Sequence, residues 1–355
     1  MEQMTSLERT MAVIQHQIPD RVPVDLHNFL VTIAYAGLPM AQVLQDGAML
    51  AEAQLKFWRD FRHDVLLVEN GVIAEAGACG CEIDWPIDGP PRVVGHVLAD
   101  GLEKIEELSV PDPWKTSPLR ENLEAVRIMR QELGDQVFIM GRCDQAPASL
   151  AGALRGYEQF IVDMALNEQP ELIHQVLDFC ARVQTRYMLA MKEAGAHGTA
   201  MGEMGVDIIG PRLHRDFAHA YDRQVVEAVA APDYAVALHI CGDATLILPE
   251  MIATGAQILE LDYKTDKATA KEALRGKAAF LGPVNPELIS NGTPAQIEDA
   301  AREALDVLGP GGGLILGPGC ALGHTTPPDN IHALIETAWK YGVYNAYGTL
   351  QSNSD

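Results

Sequence analysis

Residues 235–243 read AVALHICGD, a short apolar run that ends in a histidine, a cysteine and an aspartate. A run of this length bounded by glycine predicts a buried β-strand. Seven similar runs recur along the chain, and most are separated by longer segments with helical spacing. The eight predicted strands are 22–26, 65–69, 137–141, 198–202, 235–239, 257–261, 278–282 and 313–317.

The segments between these strands carry apolar residues on one helical face and charged residues on the other. An additional helix at 6–17 precedes the first strand, with Ser6 as its candidate N-cap. Strands that alternate with helices indicate a parallel sheet. The other predicted helices are 40–59, 119–132, 170–194, 213–230, 295–308 and 328–341.

Eight strands in 355 residues favour a single closed (β/α)8, or TIM, barrel, for which about 250 residues suffice. An open doubly wound sheet is the alternative, but no G-x-G-x-x-G follows the first strand, and the glycines of 309–313 precede a strand. The helix at 6–17 is then an N-terminal extension, and residues 71–113 are expected to form a hairpin or small lobe near the barrel mouth. We expect one domain over 1–348 and a flexible tail over 349–355.

The composition excludes several classes of protein. Hydrophobic residues make up 48% and charged residues 21%, as in globular domains. No apolar run reaches the roughly 18 residues of a membrane span, and the start lacks an apolar signal core, so we expect a cytoplasmic protein. The formal charge of -23 opposes binding to nucleic acid. Six cysteines are too few for a disulfide scaffold, so some thiols are available for a metal.

Polar side chains are concentrated where the predicted strands end. In a (β/α)8 barrel the active site lies at these carboxyl ends. Helix capping and loop hydrogen bonds explain most of these residues equally well. The residues are Asp25, His27, Glu69, Asn70, Arg142, Cys143, Asp144, Glu203, His239, Cys241, Asp262, Asn285 and Cys320.

His239 and Cys241 form the strongest of these candidate sites. Positions two apart on a strand point to the same side, and imidazole and thiolate are ligands that zinc prefers. Cys320 follows the last strand and can face the same mouth. Three protein ligands leave one tetrahedral position open, as in catalytic zinc sites. The alternative is a buried histidine–cysteine pair and a separate, buried Cys320.

Glu203, at the end of GTAMGE, has two interpretations of its own. It could supply an oxygen ligand or a base, or it could cap a helix or form an ion pair. Cys79 and Cys81 share a strand face but have no further ligand nearby in sequence, so we expect them to be buried thiols. Neither a nucleophile elbow nor a P-loop occurs, which argues against acyl transfer and nucleotide hydrolysis.

Four stretches of the chain resemble the uroporphyrinogen decarboxylase superfamily. The resemblance extends over nearly the whole length of the chain, and the four stretches lie near its N-terminus and in its second half. The resemblance implies a (β/α)8 barrel and one of two chemistries: porphyrinogen decarboxylation without a cofactor, or zinc-dependent methyl transfer to or from corrinoid proteins. The stretches are LERTMAVIQHQIPDRVPV, HICGDATLILPEMIATGAQILELD, LGPVNPELISNGTPAQIEDAAREAL and GGGLILGPGCALGHTTPPDNIHALIETAWKYGVY.

Decarboxylases of the superfamily carry an R-Q-A-G-R-Y segment whose arginines hold substrate carboxylates, and an aspartate in F-S-D-I. Here the corresponding stretches are VDLHNFLVTIAYAG and VENGV, which lack those arginines and have Gly71 near the aspartate position. A polycarboxylate substrate needs cationic partners, so uroporphyrinogen decarboxylation is disfavoured. Glu69 and Asn70, beside Gly71, are candidate catalytic residues together with Glu203.

The methyltransferase branch carries H-x-C followed later by a second cysteine, and His239, Cys241 and Cys320 fit that pattern. The resemblance therefore implies a Zn²⁺ cofactor, methylcobalamin or another corrinoid on a partner protein, and a small thiol or methoxylated substrate. It is compatible with a homodimer. GPVNP and GEMGVD depart from the usual pattern on the substrate side. A cofactor-free decarboxylase and a non-catalytic corrinoid- or tetrapyrrole-binding protein are the alternatives.

Overall fold

The computed structural model describes residues 3–87 and 89–351. Across these residues, seven strands form one curled parallel sheet in the order β1-β4-β5-β6-β7-β8-β9, while β2 and β3 form an antiparallel pair. The strands are β1 Val65–Val68, β2 Glu82–Asp84, β3 Arg92–Gly95, β4 Phe138–Gln145, β5 Gly198–Glu203, β6 Ala235–Ile240, β7 Ile258–Leu261, β8 Ala279–Val284 and β9 Leu314–Pro318.

The predicted first strand, 22–26, is present only as two isolated bridges. Val24 pairs with Leu316 of β9, and Asp25 pairs with Val65 of β1, so this segment contacts both edge strands. A longer ladder does not form because Pro23 has no N–H and the N–H of Val24 donates to the Asp64 carboxylate at 2.8 Å. The prediction of a parallel, TIM-like sheet is confirmed, but the prediction of a full strand at 22–26 is wrong.

Helices connect the strands as predicted, with corrected boundaries. Helix 40–59 is two helices because Asp46 caps a new one, accepting from the N–H groups of Ala48 and Met49. Helix 213–230 begins earlier, kinks at Gly210 and contains a π-helical turn, His214–Ala218. Short 3₁₀ turns span Leu102–Glu107 and Thr245–Ile247. The α-helices are α1 Ser6–Ile14, α2 Leu30–Ala36, α3 Met40–Val43, α4 Gly47–Phe61, α5 Ala74–Ala78, α6 Leu119–Leu133, α7 Pro147–Arg155, α8 Tyr157–Leu166, α9 Pro170–Ala194, α10 Val206–Leu213, α11 His219–Val229, α12 Leu248–Ala253, α13 Lys267–Leu274, α14 Pro286–Asn291, α15 Pro294–Leu308 and α16 Pro328–Tyr341.

Helix α1 covers the amino ends of the strands, opposite the end where the polar residues lie. Its N-cap is Thr5 rather than Ser6, in a capping box with Glu8. Val13 and Ile14 join the buried cluster that the sheet encloses, and α1 contacts β1, β4 and β9. The enclosed strand residues are Val65, Leu67, Phe138, Met140, Ala200, Ala235, Ala237, Ile258, Ala279, Leu281 and Ile315.

The segment predicted as a lobe contains the β2–β3 hairpin. A Cβ on Gly71 would lie 3.0 Å from Pro91 of this hairpin and 3.1 Å from Phe29, so the hairpin packs closely against the loop after β1.

Of the predicted tail, Leu350 pairs with Tyr344, and residues 352–355 lie outside the described range. Among the described helices, none combines the length and apolar character needed to span a bilayer.

Candidate functional site

His239, Cys241 and Cys320 come together at the carboxyl ends of the strands. The Nε2 atom of His239 lies 2.9 Å from the Cys241 sulfur, and the sulfurs of Cys241 and Cys320 are 3.9 Å apart. The three ligand atoms lie within 4.8 Å of one another, and this is the cluster among the described residues that could hold a metal ion. Two sulfurs bound at about 2.3 Å to one tetrahedral ion are about 3.8 Å apart, so the arrangement fits zinc.

Two glycines let the backbone turn directly beside the cysteines. Gly242 follows Cys241 with φ +89°, and a Cβ there would lie 2.5 Å from the Asp207 carboxyl carbon. Gly319 precedes Cys320, and a Cβ there would lie 2.7 Å from the backbone nitrogen of Tyr263. Larger residues at these two positions would displace the loops that carry the thiols.

The imidazole of His239 is oriented by Glu260, which lies on the neighbouring strand β7. His239 Nδ1 is 3.1 Å from the backbone carbonyl oxygen of Glu260 and 3.9 Å from its carboxylate. A hydrogen bond from Nδ1–H to that carbonyl leaves Nε2 free to bind a metal. Nε2 is therefore the atom that faces the Cys241 sulfur and could bind a metal.

Protonation of the three residues is interdependent. A hydrogen bond from Cys320 lowers the pKa of the Cys241 thiol, while that bond and burial raise the pKa of the Cys320 thiol. Burial opposes the charged imidazole, but the Glu260 carboxylate and the contact with Cys320 outweigh it and raise the pKa of His239 to about 9. Because a metal competes with these protons, its binding will depend on pH.

Arg142 is surrounded by carboxylates beneath this cluster. Its guanidinium lies 2.8 Å from Glu260, 2.7 Å from Asp144 and 3.3 Å from Glu69. Burial opposes ionisation of Glu260, yet Arg142 and His27 hold the pKa of that carboxyl well below its usual range. Burial and the Asp144 charge raise the pKa of Glu69. The network fixes the Glu260 side chain, which also pairs with His27.

A cavity of about 200 Å³ connects the metal cluster with this charged network. It places the predicted catalytic residues Glu69 and Glu203 in the same space as the three ligands. Its lining is His27, Phe29, Glu69, Val72, Arg142, Asp144, Gln145, Ser149, Tyr157, Gly202, Glu203, His239, Cys241, Cys320 and Ala321.

Glu203 caps helix α7 from the wall of the cavity. Its carboxylate accepts from the N–H of Ala148 at 3.0 Å, the hydroxyl of Ser149 at 2.9 Å and the N–H of Met204 at 2.6 Å. Burial raises the pKa of Glu203, and burial together with the neighbouring Glu203 carboxyl raises the pKa of Asp222. Three donors occupy Glu203, so capping accounts for it without a metal.

Asn70 does not line the cavity, although the sequence suggested it as a catalytic residue. Its amide donates to the backbone carbonyls of Pro118 at 2.8 Å and Leu44 at 3.3 Å. These bonds tie the loop after β1 to the chain around it. These contacts give Asn70 a structural role, and a catalytic role for it stays a prediction. Cys79 and Cys81 are buried free thiols, as expected.

Glu260 is the residue of the site that sequence reasoning missed. It lies within the apolar run ILEL, a pattern that predicts only a buried strand. A glutamate inside a buried parallel strand needs a charged partner, so its presence was a usable signal. Arg142 and Asp144 were noted at strand ends but were given only a structural explanation.

Comparison with known proteins identifies both methyltransferases and decarboxylases as relatives. Residues 5–341 match the uroporphyrinogen decarboxylase (URO-D) family. A methylcobamide:CoM methyltransferase, MtbA, from Methanosarcina acetivorans is 28% identical and covers 96% of this chain and 99% of its own. A uroporphyrinogen decarboxylase from Crocosphaera subtropica is 27% identical over 81% of this chain and 80% of its own. A solved methyltransferase from Methanosarcina mazei has a TM-score of 0.86 at 25% identity, covering 95% and 99% of the two chains.

Proposed function

Because the chain belongs to the uroporphyrinogen decarboxylase family and is a methyltransferase of it, we propose that it moves a methyl group between a corrinoid protein and a small thiol at a zinc ion. His239, Cys241 and Cys320 are the proposed ligands. The observation that carries the proposal is the approach of their three donor atoms to within 4.8 Å of one another. A methoxylated substrate that loses its methyl group to the corrinoid is the alternative direction.

A zinc ion held by these residues would lower the pKa of a substrate thiol and so supply a nucleophile at neutral pH. The protein contributes orientation and shape. Glu260 fixes the imidazole of His239, and Arg142 fixes Glu260. The cavity of about 200 Å³ is smaller than the roughly 300–1,000 Å³ of drug-sized sites, and a corrinoid is larger than a drug. The corrinoid therefore stays on its carrier protein outside the cavity.

Decarboxylation of a porphyrinogen fits this cavity poorly. Among the described residues that line it, Arg142 is the one permanent cation, and three carboxylates already surround its guanidinium. A substrate with several carboxylates would find no matching set of cations. Methyl transfer to sulfur makes no such demand.

Metal analysis tests the ligand set. Protein purified without added zinc should contain about one zinc per chain, and Cys241→Ser and Cys320→Ser should lose it. Cys81→Ser is the matched control, because Cys81 is also a free thiol but lies outside the cluster and donates to the carbonyl of Ala153. Full zinc occupancy in both ligand variants would eliminate this ligand set.

Methyl transfer is then assayed with methylcobalamin and small thiols. The proposal expects zinc-dependent loss of the methylcobalamin spectrum and formation of a thioether. A spectral shift without thioether would instead indicate a corrinoid-binding protein. The reverse direction is assayed with methoxylated compounds and reduced corrinoid.

We also propose that residues 24–25 close the sheet into a (β/α)8 barrel within one domain, 1–348, followed by a tail, 349–355. A cytoplasmic location remains a prediction. The homodimer also remains a prediction, which light scattering can test.

A further inference from the structure

The polar lining of the cavity contains buried oxygens without a partner. Glu69 Oε2 and Asp144 Oδ2 are both buried, and neither has a hydrogen-bond partner in the protein. The Nε atom of Arg142 lies 3.3 Å from Glu69 Oε2 but donates its hydrogen bond to the other oxygen of Asp144. Buried acceptors of this kind cost free energy until a donor reaches them. Both side chains line the cavity, so a ligand can supply that donor.

The charge of this end of the cavity is negative. Arg142 contributes one positive charge, whereas Glu260 and Asp144 contribute two negative charges before Glu69 is counted. With His239 bound to zinc and therefore neutral, the balance is negative whether or not Glu69 holds a proton. An anionic group placed here would lose its water and face carboxylates, whereas a cationic donor would offset the excess charge.

Two other polar groups of the lining are already used within the protein. The hydroxyl of Ser149 donates to Glu203 at 2.9 Å, and the amide of Gln145 donates to the Tyr157 hydroxyl at 3.2 Å. Neither group is observed to donate a hydrogen bond to Glu69 or Asp144. Glu69 Oε2 and Asp144 Oδ2 thus have no hydrogen-bond partner among the described residues of the protein, and both side chains line the cavity, where a ligand can reach them.

We propose that the small-molecule substrate carries a cationic amine at the end remote from its reacting atom, and that Glu69 and Asp144 bind this amine. The proposal rests on the function proposed above and specifies its substrate class. A cavity of about 200 Å³ corresponds to roughly seven water-sized groups, which is enough for a short aliphatic aminothiol. Glu69 and Asp144 are thus specificity residues, while the metal ligands hold the sulfur.

Three thioethers of equal length test the proposal without corrinoid. The compounds CH₃–S–CH₂–CH₂–X with X as ammonium, hydroxyl or sulfonate differ only at the remote end, and none has a thiol proton to lose. Calorimetric titration of zinc-loaded protein should give the tightest binding for the ammonium compound, by about tenfold or more over the sulfonate. Equal or tighter binding of the hydroxyl or sulfonate compound would overturn the proposal.

A pair of variants locates the effect. Glu69→Gln keeps the side-chain shape and should reduce the preference for ammonium over sulfonate by about tenfold. Glu75→Gln is the matched control, because Glu75 is equally buried and near Asp144 but outside the described lining of the cavity. An unchanged preference in Glu69→Gln, or an equal loss in both variants, would contradict binding of the amine by Glu69.

An assay of methyl transfer distinguishes failure of this proposal from failure of the function on which it rests. The corresponding thiols are cysteamine, 2-mercaptoethanol and coenzyme M, offered with methylcobalamin. If coenzyme M is the preferred acceptor, the amine proposal fails and methyl transfer to a thiol stands. If ammonium thioether binds most tightly but no thiol accepts a methyl group, the amine site stands and the proposed thiol methyl transfer fails.

Discussion

Two atoms of Glu260 act on His239 in different ways. The backbone carbonyl accepts from Nδ1, and the carboxylate, held by Arg142, provides a negative charge 3.9 Å from the same nitrogen. The carbonyl would survive a change of side chain, but the charge would not. A substitution of Glu260 can therefore test the effect of the charge on the imidazole while the orientation of the ring is kept.

We expect Glu260→Gln to weaken zinc binding by about 10-fold, the lower end of the range for partners that support metal ligands. The imidazole stays oriented through the backbone, but it loses the nearby negative charge that makes it a better ligand. Competition with a chromophoric chelator measures the affinity. Glu132→Gln, at an exposed position that pairs with Arg59, is the control and should bind zinc like the wild type. Unchanged affinity in Glu260→Gln would contradict a role for the carboxylate.

Glu203→Gln tests whether Glu203 caps a helix or binds the metal. An amide has one acceptor oxygen, so at least one of the three donors at Glu203 loses its partner. We expect the free energy of unfolding to fall by about 1–3 kcal/mol while zinc content stays at one per chain. Urea unfolding and metal analysis on the same preparation measure both. Loss of zinc from a folded variant would restore the ligand interpretation.

At the residue scale, side chains with specific chemistry were predictable and their partners were not. His239 and Cys241 could be found because residues two positions apart on a strand point to the same side. Cys320 could be added because few residue types bind zinc. The contacts of Asn70 could not be predicted, because its neighbours in sequence give no information on the carbonyls of Leu44 and Pro118. Those contacts exist only after the chain has folded.

At the element scale, the helix that closes the amino end of the sheet depends on one buried arginine. Arg9 of α1 donates to Asp20 at 2.6 and 2.7 Å and to Asp64 at 2.7 Å. Asp64 in turn accepts from Arg21 and from the N–H of Val24. The ion-pair network therefore joins α1 to the segment that bridges the two edge strands.

We expect Arg9→Met to lower the free energy of unfolding by about 3 kcal/mol. The methionine keeps the apolar stem, while Asp20 and Asp64 lose a charged partner; Arg21 still neutralises part of the charge on Asp64. Urea denaturation gives the value. Arg59→Met removes an exposed arginine that pairs with Glu132 and should cost far less. Equal losses in the two variants would contradict a special role for the buried network.

The predicted bounds of an element were correct where a long segment repeats one apolar face. They were wrong where a side chain distant in sequence binds a backbone group of the element. Helix α9 was predicted with its observed bounds because 25 residues repeat one apolar face. The strand at 22–26 failed because a distant carboxylate, Asp64, takes a backbone N–H that a ladder would need. The end of β4 was predicted at 141, but the strand extends to Gln145. Arg142 and Asp144 pair with each other, and Arg142 also pairs with Glu260 on β7, so both polar side chains are buried within the strand.

At the scale of the whole molecule, an acidic chain has several carboxyl groups inside its fold. The formal charge is -23, and burial raises the pKa of Asp25 to about 7 and that of Glu75 to about 8. Such groups hold protons in the folded state that they release on unfolding near neutral pH. The stability of the protein is therefore coupled to pH through its interior as well as through its surface.

Glu75 is suited to a test of this coupling because its carboxyl is fully buried. Burial and the nearby Asp144 charge raise the pKa of Glu75, while the hydrogen bond from the backbone N–H of Gln145 and the contact with Gln184 lower it. The two causes that raise the pKa outweigh the others, which favours the neutral carboxyl in the fold.

The folded pKa of about 8 lies above the ordinary glutamate pKa of 4.5, so the folded state binds more protons between these two pH values. The free energy of unfolding should fall as pH rises through this window, by up to about 1.4 kcal/mol per pH unit from this group. Glu75→Gln keeps the neutral form at every pH and should give a flatter dependence between pH 5 and 8. Urea titrations at intervals of one pH unit measure the difference, with Glu132→Gln expected to follow the wild type. Parallel curves for wild type and Glu75→Gln would mean that Glu75 is ionised in the fold.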